Sequence, residues 1–574
     1  MKLRSAEWFE GPVSRTFQHR MSMAAVGRAY ADYAGRPIIG IANSWSDFNN
    51  CNLPHKELVD HVKLGVLAAG GYPMEFHTIT TASDFVKPSD LLYRNLMAMD
   101  VEEMLRSQPI DGVVLLSECD KTTPAQLMGA LSVDLPAIQL AAGHRASGNF
   151  RGERVTYATD FWRLLDEYEA GNLLSQEWAQ LERCMSCSGG GCAVMGTAST
   201  MKSISEAIGM MLPGTSDIPA IDVQRQSAAE ATGRRIVEMV REDLRPSQIV
   251  TEAALRNAMR VLAALGGSTN ALIHLAAIAG RRGIFLRYED FEQAWNDVPL
   301  LCDLQPSGAG NMDDFHAGGG LPRLLHELLP LLEGDAKTVS GRTLRQNYAT
   351  VPAASDPVIG SLQRPIAPGP ALRILRGNLA PDGAVLKESA GSPELMRHEG
   401  PAVVFEDYED MLARIEGDDL PVTKDSVLVM RSCGPVGVPG MPEWGSIPIP
   451  PKLLRQGVRD MVRISDARMS GTGYGTVVLH VAPESAVGGP LALVHDGDLI
   501  ALDVPAGRLE LRVPESELTA RRAALRARPA THKRGYLRLF AEHVMQAPEG
   551  CDLDFLRPGS AEEAGFVPPI VGRG

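Results

Sequence analysis

The chain has 574 residues, more than a single hydrophobic core organises, so we expect two or more domains. Its composition, 44% hydrophobic and 22% charged, is that of an ordinary soluble protein. The formal net charge of -14 argues against a general nucleic-acid binder, which would present a basic face. It does not exclude anionic small molecules, because bound metal ions can reverse the local field.

The first 30 residues contain no apolar signal core, and no uninterrupted apolar run is long enough to span a bilayer. We therefore expect a cytoplasmic protein with no membrane partner. In a reducing compartment, scattered thiols are metal ligands, nucleophiles or core residues rather than disulfides. The eight cysteines are Cys51, Cys119, Cys184, Cys187, Cys192, Cys302, Cys433 and Cys551.

The first predicted strand covers residues 37–43, which are short and apolar, as in a buried strand. A polar loop with Cys51 follows, and Pro54 is placed to open a helix that runs through Ala69. The pattern predicts a strand-loop-helix unit with a thiol in its loop.

A second unit of the same kind carries three reactive side chains in a row, Cys119, Asp120 and Lys121. They follow a predicted buried strand at residues 113–116, and Thr123-Pro124 is placed to cap and open the next helix. The three side chains therefore fall on a strand-to-helix turn, where ligands bind in open α/β sheets. Taken alone, the triplet would be interpreted as a buried thiol beside a surface ion pair.

Cys51 and Cys119 occupy equivalent places in two strand-loop-helix units. Loops that leave the same edge of a parallel sheet lie close together, so the two thiols could converge on one site. This coincidence favours a shared metal centre.

A third cysteine cluster spans residues 184–192 and contains Cys184, Cys187 and Cys192 around a run of glycines. Residues 193–211 predict a helix, which places Cys192 near a helix start, where a thiolate is stabilised. The Cys-x-x-Cys pair alone could be a zinc half-site or a redox pair. No second Cys/His pair at finger spacing follows, which weakens the zinc interpretation.

Residues 252–265 and 270–280 predict two apolar-faced helices joined by the turn 266–269. The turn could bind an anion at a helix start or simply form a tight helical hairpin, and both interpretations stay open. His274 on the second helix is expected to be a packed core residue. Residues 305–314 predict a loop with two adjacent carboxylates near a domain edge.

Residues 339–370 show little periodicity and contain the predicted domain boundary, which separates residues 1–350 from residues 371–574. Short β-rich runs with Gly/Pro turns then suggest a barrel or sandwich. The predicted strands are 402–405, 426–430, 476–481, 499–504 and 509–513, with helices at 408–415 and 452–461.

Two glycine-rich loops of the second domain carry candidate site residues. The loop 437–445 contains one carboxylate, Glu443, and the loop 463–475 contains Ser470. A Gly-x-Gly-x-Gly pattern without a Walker lysine or a Rossmann strand is weak evidence for a nucleotide, so we do not predict a nucleotide site. The second loop could instead hold Ser470 on a turn whose amides face a substrate carboxylate.

Taken together, these motifs resemble the dihydroxy-acid and sugar-acid dehydratase family of iron–sulfur hydro-lyases, nearly from end to end. Residues 92–95 and 120–124 are closer to the sugar-acid (aldonate) branch than to the branched-chain amino-acid branch. The matching segments are 50–52, 119–124, 191–192, 196–201, 266–271, 377–383, 439–443 and 466–471.

The resemblance implies an N-terminal parallel-sheet α/β domain, a C-terminal swivelling β-barrel-like domain, and an active site between them. It implies a 2Fe-2S cluster held by three thiols and a Mg²⁺ ion near a carbamylated lysine, which offers anionic oxygen to a hard cation. It also implies a serine that removes the α-proton. The corresponding positions are Cys51, Cys119 and Cys192 for the cluster, Asp120, Lys121 and Glu443 for Mg²⁺, and Ser470 for the base.

The chain departs from the family pattern near both expected metal sites. A family glutamate that binds Mg²⁺ aligns with Ser83, so either the adjacent Asp84 replaces it through a shifted loop or the site has one protein carboxylate fewer. Glu118 stands where the family usually has glycine, and Asn50 replaces a proline. Cys184 and Cys187 are additional thiols that we expect not to be ligands.

These observations predict a hydro-lyase that converts an aldonate, or a related small 2,3-dihydroxy acid, into a 2-keto-3-deoxy acid. The branched-chain dihydroxy acid of valine and isoleucine synthesis is the alternative substrate, and a phosphorylated acid is less favoured because no additional basic cluster is evident. An iron–sulfur redox protein and a zinc-stabilised binding protein are alternatives of other classes. We expect a homodimer or homotetramer with no nucleic-acid partner.

Overall fold

The computed structural model describes residues 2–157, 159–169, 172–351, 357–526 and 532–558. Its N-terminal half is a mixture of helices and parallel strands, and its C-terminal half contains a closed β-barrel. This confirms the predicted fold class. The position of the predicted boundary between residues 350 and 371 stays a prediction.

In the N-terminal half, strands and helices alternate between residues 38 and 140, and the elements described from residue 159 onward are helices. Its strands are β1 (Ile38–Asn43), β2 (Tyr72–His77), β3 (Gly112–Leu116), β4 (Ala137–Leu140), β5 (Gly148–Phe150) and β6 (Glu153–Val155). Its helices are α1 (Ala6–Phe9), α2 (Val13–Ala25), α3 (Tyr30–Tyr33), α4 (His55–Ala68), α5 (Leu91–Ser107), α6 (Thr122–Val133), α7 (Thr159–Glu169), α8 (Ser175–Met185), α9 (Thr197–Ile208), α10 (Gln224–Glu242), α11 (Pro246–Ile249), α12 (Glu252–Leu265), α13 (Asn270–Gly280), α14 (Tyr288–Trp295), α15 (Met312–Ala317), α16 (Gly320–Leu328) and α17 (Leu344–Tyr348).

Four of these strands form a parallel sheet in the order β2-β1-β3-β4. Every residue of β1, β3 and β4 is buried, as expected for a parallel sheet covered on both faces. At the carboxyl edge, Asn43 at the end of β1 pairs with Leu116 at the end of β3. The loops that contain Cys51 and Cys119 therefore leave neighbouring points of one sheet edge.

The C-terminal half is built around an eight-stranded closed barrel in the order β10-β11-β12-β8-β7-β14-β13-β9. Its strands are β7 (Arg373–Gly377), β8 (Ala380–Leu386), β9 (Arg397–Phe405), β10 (Val427–Met430), β11 (Arg463–Ser465), β12 (Val477–Ala482), β13 (Leu499–Asp503) and β14 (Arg508–Leu511). Its helices are α18 (Tyr408–Arg414), α19 (Pro451–Arg455), α20 (Glu515–Ala524) and α21 (Gly535–His543). Short 3-10 helices occur at Leu329–Leu331, Glu388–Ala390, Pro393–Leu395, Ser485–Val487, Pro490–Leu493, Ala547–Glu549 and Asp554–Leu556.

The final described segment returns to the N-terminal half and fastens the two halves together. Arg281 forms a buried ion pair with Asp552, with 2.6 Å between Nε and Oδ2. Arg94 is also buried and donates to the backbone oxygens of Gly550 and Cys551. Burial of charged groups at this junction is tolerated because each is paired or hydrogen-bonded.

The helix pair α12 and α13 has the predicted bounds, and local sequence explains the limits of α12. The Thr251 side chain accepts a hydrogen bond from the amide of Ala254 at the start, which is a regular N-cap. Gly266 ends the helix in the left-handed conformation at φ 63°. His274 is buried in α13, as predicted, and its ring contacts Arg94.

Three predicted helix boundaries are wrong. The helix after the Cys119 turn begins at Thr122 with Lys121 at its N-cap, so Thr123 does not cap it. The helix predicted at 193–211 is α9 and begins only at Thr197, because the glycine-rich segment before it continues as a loop. The helix predicted at 452–461 is the short α19, which ends at Arg455 before a glycine at position 457 with φ 88°.

Candidate active site

A cavity of about 490 Å³ lies where the sheet edge meets the barrel. The sheet half contributes the thiols and several carboxylates, and the barrel half contributes Glu443, Arg468 and Ser470. Seven of the eight site residues predicted from the sequence line the cavity, and the eighth, Lys121, lies just beneath its wall, against Asp120. The structure thus brings together side chains that are up to several hundred positions apart in sequence.

The three cysteines predicted to act together share one wall of this cavity. Cys119 is hydrogen-bonded to Cys51, and this contact together with burial raises the pKa of the Cys119 thiol well above its usual value. Burial likewise raises the pKa of Cys192 to about 12, although the neighbouring Arg145 guanidinium partly offsets the effect. The Arg145 side chain reaches within 3.9 Å of the Cys51 sulfur.

Backbone and amide contacts lock the three cysteine loops to one another. The Asn52 side chain accepts a 2.6 Å hydrogen bond from the amide of Glu118, and Asn50 offers its carbonyl oxygen to the amide of Gly190. Cys119 itself has φ 67°, a left-handed conformation that a non-glycine residue adopts only at a cost of about 1–3 kcal/mol. Such strain persists where surrounding contacts hold the backbone. In this conformation Cys119 is part of the cavity lining.

Beside the thiols, Lys121 lies within a ring of carboxylates. Its Nζ contacts Asp120, lies 3.0 Å from Asp90 Oδ1 and lies 3.4 Å from Glu443 Oε1. Burial would lower the pKa of Lys121, but the three carboxylates outweigh burial and raise it. Burial would in turn raise the pKa of Asp120, and the Lys121 ammonium holds it below its usual range.

Glu443 is held in place by two residues that the sequence reasoning did not assign to the site. Asn270 Nδ2 and Arg468 Nη1 each donate a 2.8 Å hydrogen bond to Glu443 Oε1. Lys121 approaches the same oxygen. Within the described chain, no donor contacts the second oxygen, Oε2, so the carboxylate keeps one oxygen for a ligand. Asn270 and Arg468 belong to two of the motifs that carry the family resemblance, and these motifs could have assigned both residues to the site.

The structure separates Asp84 from the carboxylate ring and brings in Asp90 instead. Asp84 accepts hydrogen bonds from Asn50 Nδ2 at 3.2 Å and from Tyr157 Oη at 3.1 Å, on the side of the thiols. Ser83 donates to Asp90 Oδ2 at 2.8 Å and lies 3.3 Å from Asp120 Oδ1. Asp84 as a metal ligand stays a prediction, whereas sequence reasoning missed Asp90.

Ser470 enters the cavity on a loop that rests on the start of α9. Its hydroxyl lies 2.9 Å from the Thr472 hydroxyl and accepts from the Thr472 amide at 3.3 Å. A side chain at Gly471 would lie 2.6 Å from the amide nitrogen of Thr197, so glycine is needed for this close approach. The first amides of a helix have no partners inside it and carry partial positive charge, which favours an anion nearby.

Glu118 has a structural explanation that the sequence did not reveal. It is fully buried and forms an ion pair with Lys202, with 3.1 Å between Oε1 and Nζ. Its other oxygen accepts from the amide of Gly143. Glu118 does not line the cavity, and it joins the Cys119 turn to α9 from behind.

The remaining sequence candidates lie outside the cavity lining. Cys187 is exposed and donates to the Ala146 carbonyl, and Cys184 packs in a small separate apolar cluster. The turn 266–269 packs against α9, where Ser268 contacts Thr197, so the structure supports the tight hairpin rather than an anion site. The loop predicted at 305–314 is wrong at its end, because Asp313 and Asp314 lie in the first turn of α15, and Asp313 Oδ1 lies 3.0 Å from His144 Nε2.

Among the described residues, no group of three or more His, Cys, Asp and Glu side chains closes on a metal ion as it stands. The donor chemistry nevertheless fits the two groups that the resemblance implies. Three thiols on one wall suit iron–sulfur ligation, and a metal ion removes the proton from a thiol that it binds. The Lys121 ammonium occupies the place of a cation among carboxylates, and carbamylation would convert it into a further anionic oxygen ligand.

Comparison with known protein families identifies the family of the chain. Residues 36–347 match the model of the dihydroxy-acid/6-phosphogluconate dehydratase N-terminal domain, and residues 357–551 match that of the C-terminal domain. The chain belongs to this dehydratase family, and it is a hydro-lyase by class.

Three relatives match along nearly their whole length. L-arabonate dehydratase from Azospirillum brasilense is 49% identical, with 97% of each chain covered. L-arabinonate dehydratase from Rhizobium leguminosarum bv. trifolii is 48% identical over 97% of this chain and 96% of its own. The 6-deoxy-6-sulfo-D-gluconate dehydratase from Pseudomonas putida is 47% identical over 99% of this chain and 98% of its own. Sugar-acid dehydratases are thus prominent among the relatives.

In the described part of the chain, no helix combines the length and apolar character needed to cross a membrane. No disulfide links any of the eight cysteines, all of which lie within described segments.

Proposed function

We propose that the protein removes water from an aldonic acid and forms a 2-keto-3-deoxy acid, using Ser470 as the base. The observation that carries the proposal is that three thiols, the carboxylates around Lys121 and Ser470 all line one cavity, with the start of α9 against the Ser470 loop. The names of the most similar relatives support a sugar-acid substrate.

The expected cofactors are a 2Fe-2S cluster held by Cys51, Cys119 and Cys192, and Mg²⁺ held by Asp120, carbamylated Lys121 and Glu443. When bound, these groups supply Lewis acidity toward the β-hydroxyl and the carboxylate end of the substrate. Neighbouring positions in the turn, Cys119 and Asp120-Lys121, would hold the two groups at a fixed separation.

Ser470 removes the proton from the α-carbon in this scheme, and the electron pair of the C–H bond forms the carbon–carbon double bond of an enol. The β-hydroxyl leaves as hydroxide, and the proton that Ser470 removed converts it to water and returns Ser470 to its starting state. The enol then tautomerises to the keto acid. Ser470 can act only if its pKa is depressed, and the start of α9, which lies against the adjacent Gly471, offers positive potential to this loop. The Thr472 amide donates to that oxygen and would stabilise an alkoxide.

Polar residues in the cavity lining support an aldonate rather than a branched-chain dihydroxy acid as the substrate. Beyond the thiols and carboxylates, the lining includes Lys87, Tyr157 and Thr472, which offer polar groups to the outer hydroxyls of a sugar acid. A branched alkyl group can neither donate nor accept a hydrogen bond, so it would gain nothing from these polar groups.

The experiment is a substrate panel with anaerobically purified protein of known iron and magnesium content. The panel contains L-arabonate, D-xylonate, 6-deoxy-6-sulfo-D-gluconate and 2,3-dihydroxyisovalerate, and keto-acid formation is measured. We expect turnover of at least one sugar acid well above that of dihydroxyisovalerate. Preference for dihydroxyisovalerate would replace the proposed substrate, and an intact cluster that changes redox state without any turnover would favour the redox protein. We also propose that the protein is a homodimer or homotetramer, which a measurement of its molecular mass in solution would test.

A further inference from the structure

We propose that Asp90 is a ligand of the divalent cation and takes the place of the glutamate that the family resemblance expects at position 83. The inference rests on the proposed function, because it assigns a residue to the cation site of that enzyme. Asp84, the substitute that the sequence suggests, would then have no contact with the cation.

The first argument is the position of Asp90 relative to the other expected ligands. Its Oδ1 lies 3.0 Å from Lys121 Nζ, closer than the 3.4 Å that separates this nitrogen from Glu443. Its side chain is only 3% exposed, yet it lines the cavity. A carboxylate buried beside the carbamylation position is within reach of a cation bound there.

The second argument is the relation between positions 83 and 90. Ser83 Oγ lies 2.8 Å from Asp90 Oδ2 and 3.3 Å from Asp120 Oδ1. A carboxylate at either position can therefore serve the same location. The chain carries serine at the first position and aspartate at the second, so the number of carboxylates around the site is kept.

The third argument is that Asp90 is held firmly in place. The adjacent Ser89 donates to the Gly440 carbonyl at 2.7 Å and accepts from Arg468 Nη2 at 2.9 Å. Asp90 is also directly followed by α5. Ligands fixed by such contacts are already oriented before the ion arrives.

Charge gives the fourth argument. Asp90, Asp120 and Glu443 surround one ammonium, and carbamylation would replace its positive charge with a negative one. The Arg468 guanidinium beside Glu443 would balance only part of this charge, so four clustered anionic groups favour a bound cation. Asp84 also lines the cavity, but it is exposed and its two oxygens are hydrogen-bonded to Asn50 and Tyr157.

The test measures Mn²⁺ affinity of the purified, cluster-containing protein by electron paramagnetic resonance of the free ion, since Mn²⁺ takes the same oxygen ligands as Mg²⁺. We expect Asp90→Asn to weaken Mn²⁺ binding by about 10- to 100-fold or more. The matched Asp84→Asn variant should bind Mn²⁺ as the wild type does. Unchanged affinity in a folded Asp90→Asn variant, or a comparable loss in Asp84→Asn, would overturn the proposal.

A compensating variant covers the case in which Asp90→Asn does not fold. Ser83→Glu combined with Asp90→Asn returns a carboxylate to the same location, and we expect Mn²⁺ affinity within about 10-fold of the wild type. A folded double variant without Mn²⁺ affinity would contradict the shared location. If the wild type dehydrates sugar acids and the Asp90→Asn variant binds Mn²⁺ normally, only the assignment of Asp90 is wrong. Wild-type protein with neither Mn²⁺ affinity nor turnover would remove the proposed function as well.

Discussion

Glu443 of the barrel half and Lys121 of the sheet half meet at the wall of the cavity, with 3.4 Å between Oε1 and Nζ. The contact joins a Pro/Gly loop to a strand-to-helix turn more than three hundred residues earlier in the chain. Asn270 on α13 supports the same carboxylate oxygen. The polar centre of the site therefore exists only when both halves are docked.

The cysteine assignments make a direct prediction about cluster content. Cys192→Ser should lose most of its visible absorbance and bound iron after anaerobic reconstitution, because one of three thiol donors is removed. Cys187→Ser is the matched control, since this exposed residue belongs to the same loop but lies outside the cavity. Equal iron content in the two variants would remove Cys192 from the ligand set.

Because the Ser470 loop lies so close to α9, we predict that activity is sensitive to a side chain at Gly471. Gly471→Ala places a methyl group 2.6 Å from the Thr197 amide and should displace Ser470, lowering kcat by about 100-fold. The cluster spectrum should stay unchanged. Gly369→Ala is the control, because its methyl group would meet only the Arg373 guanidinium, at 3.5 Å. Full activity in Gly471→Ala would show that the observed loop position is not required.

The ion pair between Glu118 and Lys202 predicts a large effect on stability. Lys202→Met leaves a buried carboxylate without its partner and should lower the free energy of unfolding by about 3–5 kcal/mol. Lys424→Met removes the exposed contact with Asp425 and should change it by less than about 0.5 kcal/mol. Urea unfolding of both variants measures the difference. Similar midpoints for the two variants would mean that the buried pair contributes little.

Lys387 predicts a pH-dependent stability. Burial lowers its pKa to about 7, and in the described chain its Nζ has no hydrogen-bond partner. Below pH 7 Lys387 is protonated in both the folded and the unfolded chain, so the folded state bears the full free-energy cost of a buried charge. Between about pH 7 and pH 10 the unfolded chain binds more protons, so stability rises with pH until the penalty is gone.

Lys387→Met should therefore be more stable than the wild type near neutral pH, by at most about 4 kcal/mol. The gain should shrink steadily as pH rises toward 10, and paired urea titrations over this range measure it. A stability difference that does not vary with pH would mean that Lys387 is protonated in the folded protein throughout the range.

The strand-to-helix units and their thiols could be predicted from sequence because each unit is local. A short apolar run, a polar loop and a helix start define where Cys51 and Cys119 lie, and parallel pairing of Asn43 with Leu116 then brings the loops together. The barrel strands β7 and β8 were missed, since glycines at 377 and 383 interrupt the alternating pattern.

Contacts between distant residues could not be predicted in the same way. Glu118 looked like an unexplained charge because its partner Lys202 lies on a helix 84 positions away. Asp90 was overlooked because the loop that begins at Ser83 folds back and brings residues seven positions apart into contact. No local pattern records such a return of the chain.

The most direct test of the account is the activity of Ser470→Ala on the sugar acid that the wild type prefers. The variant should keep its cluster spectrum and Mn²⁺ affinity, because Ser470 is bonded to Thr472 rather than to the expected ligands. Its rate of keto-acid formation should fall by about 100- to 10,000-fold, the usual effect of removing a general base. Turnover equal to that of the wild type, with the cluster intact, would show that Ser470 is not the base.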